Sequence, residues 1–86
     1  MTRKQKIHLD FIIGWWKLYG YGPSYRDIAD GLGGGVSSTH RIVGILEERG
    51  YLKILRNRAR AIYPTSKAPG SADIPEFIQS SSKKRE

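Results

Sequence analysis

The sequence lacks several residues on which whole classes of protein depend. It has no cysteine and two histidines among 86 residues. Without cysteine the chain has no disulfide framework, no thiolate metal site and no thiol redox chemistry. Two histidines, His8 and His40, are too few to predict a zinc site. We therefore expect no metal and no cofactor.

Long hydrophobic runs are absent as well. No stretch approaches the roughly 20 apolar residues that a membrane span needs. The chain does not open with a signal peptide, which would combine a basic start with an apolar segment. The sequence therefore predicts a cytoplasmic protein, associated with the nucleoid if its partner is DNA.

Acidic residues are scarce: 8 Asp and Glu stand against 15 Lys and Arg, a formal net charge of +7. Residues 1–63 hold 11 basic and 5 acidic residues, which gives +6, and residues 64–86 hold 4 and 3, which gives +1. The length suits one small domain, and the charge lies in the part that can fold. This favours a polyanion as partner; the alternative is a charge that only aids solubility.

The first third of the chain predicts two helices. Thr2 and the residue three positions later fit a capping box, so we expect a helix from about Arg3 to Tyr19. The Gly-Tyr-Gly-Pro sequence of residues 20–23 ends it. Ser24, with an aspartate three residues later, begins a shorter helix. Its inward pair is Ile28 and Leu32, and its end is marked by Gly31 and the glycines of 33–35.

A third helix, residues 37–49, has a marked start and a marked end. Ser37 or Ser38 supplies the N-cap oxygen, and Gly50 suits the left-handed conformation that ends helices. An inward stripe with helical spacing consists of Thr39, Val43 and Leu46, widened by Ile42 and Ile45. The first turn is polar instead. Such a helix is anchored by its body and presents its first turn to a partner.

After Gly50 the pattern changes to that of a hairpin and then a tail. Leu52–Arg56 and Arg60–Tyr63 predict two strands around an Asn57-Arg58 turn. The hairpin carries cations without an acid, so we expect phosphate contact rather than a merely solvated edge. From residue 64 the composition is typical of a flexible tail, interrupted by a short apolar segment at 74–78.

Five segments stand in an order and spacing that cover residues 2–63: TRKQ, LDFI, GYGPSYRDIA, SSTHR and LEERGYL. Together they resemble the N-terminal DNA-binding domain of the LexA repressor family. The GYGPSYRDIA segment is the most specific of them. The resemblance implies a winged helix-turn-helix: a mainly α fold of three helices with a two-stranded wing, which binds duplex DNA as a dimer.

The chain also departs from that family. The full-length repressor carries a self-cleaving domain with a Ser-Lys dyad, and the 23 residues of 64–86 cannot hold one. We therefore expect no enzyme and no inactivation by self-cleavage. The family dimerises largely through that domain, so a dimer here needs another surface. The turn before the third helix is shorter, and Ile42 stands where the family commonly has a polar residue, so the target sequence does not carry over.

The predicted DNA-binding residues follow from placing the third helix in the major groove. Arg41 is expected at a guanine or a phosphate. The serines either cap the helix or touch DNA, His40 reads bases or is solvated, and Tyr25 faces DNA or packs on Pro23. The wing is expected on the backbone or minor groove. The full set is Tyr25, Arg26, Ser37, Ser38, His40, Arg41, Asn57, Arg58 and Arg60.

The first helix is apolar on two nearly opposite sides. One side is expected to face the core: Leu9, Ile12, Ile13, Trp16 and Tyr19. The other side is expected to form a homodimer interface: Ile7, Phe11, Trp15 and Leu18. Exposed apolar surface of that size is rare on monomers. The alternative cover is the tail segment 74–78, and a second copy is favoured because doubling a short DNA site raises affinity.

The function that the sequence favours is sequence-specific binding of double-stranded DNA. We expect a transcriptional regulator, specifically a repressor of phage or mobile-element origin. The alternative is a winged-helix module that docks on another regulator or on the transcription machinery. That reading requires apolar exposure at the recognition turn, which is polar. RNA binding is disfavoured because no paired aromatic residues lie on a sheet, and no nucleophile–base set points to an enzyme.

Overall fold

The computed structural model describes residues 1–55 and 62–70. They form three helices, α1 (Arg3–Tyr19), α2 (Tyr25–Leu32) and α3 (Val36–Glu48), followed by β1 (Leu52–Ile54) and β2 (Ile62–Pro64). The strands pair antiparallel, with Leu52 opposite Pro64 and Ile54 opposite Ile62. α3 packs against both α1 and α2, and the hairpin packs against α1 and α3. The predicted fold, mainly helical with a two-stranded hairpin, is confirmed.

Two capping boxes set the starts of α1 and α2, as predicted. At α1 the Thr2 hydroxyl accepts from the Gln5 amide at 3.2 Å, and the Gln5 side chain accepts from the Thr2 N–H at 3.3 Å. At α2 the corresponding bonds between Ser24 and Asp27 are both 3.0 Å. Each box satisfies two backbone donors that a helix start leaves open.

The start of α3 differs from the prediction, because neither Ser37 nor Ser38 is its N-cap. The N-cap is Gly35, in an extended conformation, and no side chain caps the helix there. The N–H and the hydroxyl of Thr39 both donate to the Gly35 carbonyl, each at 3.1 Å. These two bonds start the helix at Val36, so both serines lie within the first turn. The prediction was wrong because Thr39, buried against the core, sets the phase of the turn.

The end of α3 follows the glycine rule. Gly50 has φ of +87° and its N–H donates to the Glu47 carbonyl at 3.0 Å, while the Tyr51 N–H donates to the Leu46 carbonyl at 3.0 Å. These two bonds make a Schellman motif, which uses a left-handed residue to satisfy the last carbonyls of a helix. The predicted role of Gly50 is confirmed.

The core is built from one face of each helix and closed by the hairpin. Its largest fully buried side chains include Leu9, Ile12, Ile28, Val43 and Leu46. The Trp16 indole N–H donates to the Ile62 carbonyl at 2.9 Å, which ties the middle of the hairpin to α1. The predicted inward stripe of α3 is confirmed, since Thr39, Val43 and Leu46 are all at most 1% exposed.

The predicted role of Gly31 is corrected by the structure. α2 continues through Gly31 to Leu32, and its left-handed C-cap is Gly33, with φ of +75°. The Phe11 ring lies against Gly31, where a Cβ atom would overlap it. Gly31 therefore provides space for an aromatic ring of α1 rather than ending the helix.

Ordered contacts continue past residue 63, where composition predicts the tail to begin. The Thr65 hydroxyl donates to the Gly50 carbonyl at 2.6 Å, and the Lys67 Nζ donates to the Arg49 carbonyl at 2.9 Å. Ala68 is buried in the core. Residues 64–70 thus belong to the packed domain and cover the end of α3. The wing tip, residues 56–61, and the segment 74–78 lie outside the described residues.

Replacing Gly50 with alanine should destabilise the fold. A left-handed φ costs an L-residue about 1–2 kcal/mol, so we expect the free energy of unfolding to fall by roughly that amount. Gly34→Ala is the matched control, because Gly34 has no positive φ and its added methyl group meets nothing within 4 Å. Urea unfolding followed by circular dichroism measures both variants. Equal stabilities for the two variants would contradict the assignment.

Candidate nucleic-acid interface

One polar face is formed by the start of α2 and the first two turns of α3. The side chains of Arg26, Ser37, His40 and Arg41 are exposed there, and Tyr25 and Ser38 are half-buried. These six are the described members of the predicted DNA-binding set. The structure brings α2 and α3 together at this face through a direct ring contact.

Tyr25 and His40 form that contact. Their ring centroids are 3.7 Å apart and their planes lie 16° from parallel. A stacked pair restricts the rotation of both rings, so the imidazole is held at the surface in one orientation. The stack is a contact that the predictions for these two residues did not include.

The outward face of α3 is opposite its buried stripe. Ser37, His40, Arg41 and Gly44 follow one another at spacings of three, one and three, which places them on one side of the helix. Gly44 adds no side chain, and a Cβ built there meets nothing within 4 Å. Glu48 is exposed at the far end of the helix. On this face the cation, Arg41, therefore lies in the N-terminal half of α3, and the acid, Glu48, lies near the C-terminal end.

The N-terminus of α3 is chemically distinct from those of α1 and α2. Thr39 is the first residue of α3 whose N–H donates to a preceding carbonyl. The N–H groups of Val36, Ser37 and Ser38 have no acceptor among the described residues. A helix start with open amides carries partial positive charge and favours anions. Because Gly35 has no side chain, nothing stands between these amides and a partner.

The cations of this face are not neutralised within the described part of the chain. Neither Arg26 nor Arg41 makes an ion pair there. The ion pair between Lys6 and Asp10, at 3.2 Å, lies on α1. Lys53 is exposed on β1. Asn57, Arg58 and Arg60, the predicted wing contacts, fall outside the described residues.

The same ranges hold neither a metal-site cluster nor a membrane-spanning helix. Residues 1–55 and 62–70 contain no group of three or more His, Cys, Asp or Glu side chains suited to a metal ion. No helix in these ranges is both long and apolar enough to cross a membrane.

The second predicted surface lies on the outer side of α1. Leu18 is 73% and Ile7 42% exposed, and Phe11 and Trp15 are half-buried. Tyr19 was predicted to face the core but is 49% exposed. It stacks with Tyr21 instead, at 5.7 Å between ring centroids. Residue 19 falls at the border between the two sides of α1, where periodicity does not decide burial.

Sequence reasoning missed Gly35 and Gly44 as members of the polar face. Both act through the absence of a side chain, and glycine in a sequence points first to a turn or a helix end. The position of Gly44, three residues after Arg41 on the exposed side, was the available signal.

Known proteins that are similar to this chain include two LexA repressors. The LexA repressor of Koribacter versatilis (strain Ellin345) is 40% identical over 63 residues, which cover 72% of this chain and 30% of that protein. The LexA repressor of Rhodospirillum rubrum is 48% identical over 63 residues, with 72% and 25% covered. No family model matches the chain.

These relatives confirm the predicted resemblance to the LexA repressor family, which covers the N-terminal 72% of the chain. The matched region contains the three helices, since they end at Glu48. The chain spans between a quarter and a third of the length of the relatives it matches.

The Tyr25–His40 stack can be tested by proton NMR of the free protein. A ring 3.7 Å away shields the imidazole protons, so we expect the His40 signals upfield of their position in Tyr25→Leu. His8, which bonds the Lys4 carbonyl at 2.8 Å and contacts no described ring, is the internal control and should not move. Unchanged His40 signals in the variant would show that the rings do not stack in solution.

Proposed function

We propose, from the similarity of residues in its N-terminal 72% to LexA repressors, that this chain binds double-stranded DNA sequence-specifically and represses transcription. The observation that carries the proposal is the division of α3 into a buried body and an exposed, polar first half. This is the arrangement that places a recognition helix in the major groove of DNA.

The exposed side chains of α3 suit the major groove, where each base pair presents its own pattern of donors and acceptors. Arg41 can donate two hydrogen bonds to O6 and N7 of guanine. Ser37 is not used as an N-cap, so its hydroxyl is free to bond a base or a phosphate. His40, oriented by Tyr25, presents its ring edge beside Arg41. These three residues form the proposed reading set.

Gly44 supports close approach of the helix to DNA. A glycine in a helix interior is destabilising relative to alanine, and no described atom occupies the space where its Cβ would stand. The groove wall or a base edge fits there. The acidic end of α3, with Glu47 and Glu48, is then directed away from the phosphates.

Phosphate contacts are proposed at three places on the described and neighbouring chain. The open amides at the start of α3 and the guanidinium of Arg26 flank the reading set. Lys53 lies on β1, and Asn57, Arg58 and Arg60 come between β1 and β2 in the sequence. Their assignment to the backbone or minor groove rests on charge and chain position. Such contacts position the protein without specifying sequence.

Protein docking through the same face is less well supported. It would require an apolar surface, and Val36, 38% exposed, is the one large hydrophobic side chain beside Ser37. A polar face next to unpaired cations favours a nucleic acid over an apolar protein groove.

The proposal is tested by selecting bound sites from a random duplex library and measuring affinity for a selected site and for unrelated DNA. Arg41→Ala should lose about 1–3 kcal/mol for the selected site only, if Arg41 makes a bidentate base contact. Arg49→Ala is the matched control, eight residues or about 12 Å further along the helix axis. Equal losses on both DNAs would make Arg41 a phosphate contact. Binding of wild type that is weak and independent of salt would refute nucleic-acid binding altogether.

A second test uses Gly35→Asn and Gly35→Asp. Both residues are good N-caps, and the extended backbone of Gly35 accepts them, so both should raise the free energy of unfolding by a few tenths of a kcal/mol. Only aspartate adds a charge. If a phosphate lies at the start of α3, Asp should weaken DNA binding by at least about fivefold, roughly 1 kcal/mol, relative to Asn. Equal affinities of the two variants would place the phosphates elsewhere.

A further inference from the structure

An apolar groove runs along the outer side of α1. It encloses about 330 Å³ and is lined by Phe11, Gly14, Trp15, Leu18 and Tyr19. The opposite side of α1 carries the buried residues that face α3 and the hairpin. The groove is therefore separated from the polar face of α3 by the body of the helix, and the proposed DNA contacts do not cover it.

The walls of the groove are held in place by aromatic contacts. Trp15 lies 4.5 Å from Tyr19 and 6.0 Å from Phe11, centroid to centroid, and Phe11 is seated on Gly31. The Trp15 Nε1 is buried without a hydrogen-bond partner among the described residues. A fixed apolar surface of this kind, next to a leucine that is 73% exposed, marks an interaction site rather than a loose side chain.

Gly14 lies in the middle of α1 on this exposed side. Glycine weakens a helix interior relative to alanine, and a Cβ at Gly14 would meet nothing within 4 Å. Packing within the described chain therefore does not require a glycine here. A glycine at this position allows close approach of another backbone from outside.

We propose that the occupant is a second copy of this chain, packed through α1 about a two-fold axis close to Gly14, with the two helices antiparallel. In such a dimer residue 14 + n lies opposite residue 14 − n of the other copy. The exposed surface of α1 must then be complementary to the same surface running in the opposite direction. The sequence of α1 meets that requirement.

The charges are complementary under the reversal. Asp10 and Lys17 are seven residues apart, so they share one side of the helix, and their midpoint is about half a residue from Gly14. In the dimer the Asp10 carboxylate of each copy therefore faces the Lys17 ammonium of the other. Within one copy Asp10 already pairs with Lys6 at 3.2 Å, and both side chains remain more than half exposed, so the carboxylate can accept a second cation.

The apolar residues follow the same rule. Phe11 and Leu18 are also seven residues apart within α1, with a midpoint about half a residue beyond Gly14. Phe11 of each copy is thus brought to Leu18 of the other copy. The tail segment 74–78 would cover the groove without needing this symmetry or the central glycine, which is why the second copy is favoured.

The size of the surface sets the expected strength. A 17-residue helix is about 25 Å long, so a contact between two such helices is smaller than the standard interface of about 800 Å² per partner. Each copy also carries a net charge of +7. The dimer should therefore be weak and concentration-dependent.

The test is sedimentation equilibrium of the full chain over a wide concentration range, without DNA, so that it is independent of the proposed function. Wild type should show a monomer–dimer equilibrium. Leu18→Glu should weaken association at least tenfold without affecting the fold, because its side chain is largely exposed. Val36→Glu, at an exposed apolar position on α3, is the matched control and should associate like wild type.

Charge reversal distinguishes this dimer from other modes of association. Asp10→Lys and Lys17→Asp should each weaken the dimer, since like charges then face each other, and the double variant should restore it. Thermal unfolding monitors the fold of each variant. A monomeric wild type overturns the proposal, and so does a dimer insensitive to Leu18→Glu or a double variant that fails to recover. If Phe77→Glu then turned a monomeric protein into a dimer, the tail would be the occupant.

Discussion

The fold depends on the burial of one face of α3. Thr39, Val43 and Leu46 are at most 1% exposed and lie between α1, α2 and the hairpin. Because a helix turns 100° per residue, burying this stripe leaves Ser37, His40, Arg41 and Gly44 on the opposite side. The hydrophobic core thus decides which side chains can reach a partner, and it holds them on a rigid element.

The two ends of α3 are treated differently. The C-terminal end is closed by the Schellman bonds of Gly50 and by Thr65 and Lys67, which donate to carbonyls of Gly50 and Arg49. The N-terminal end is left without a side-chain cap at Gly35, although two serines follow. The C-terminal end of α3 faces the protein and is stabilised by these bonds. The N-terminal end has the open amides and is proposed to face phosphate.

α1 carries apolar residues on nearly every side, although the domain is small. One side supplies the core, and Phe11 is seated on α2 at Gly31. The remaining groove is proposed as the contact of two copies, on the far side of α1 from the recognition helix. In the proposed dimer through α1, both α3 faces remain accessible.

Features whose partners are close in sequence were predictable from the sequence. Both capping boxes join residues three apart, Gly50 acts through its own backbone, and the stripes of α1 and α3 follow from helical period, so the helices and the core were predictable. Features whose partners are distant in sequence depended on the tertiary structure. The Tyr25–His40 stack, the place of Phe11 on Gly31 and the packing of residues 64–70 were of this kind. The N-cap of α3 depended on the burial of Thr39 in the core. Each depends on which surfaces the packed helices bring together, and local propensity carries no information about a neighbour that only packing supplies.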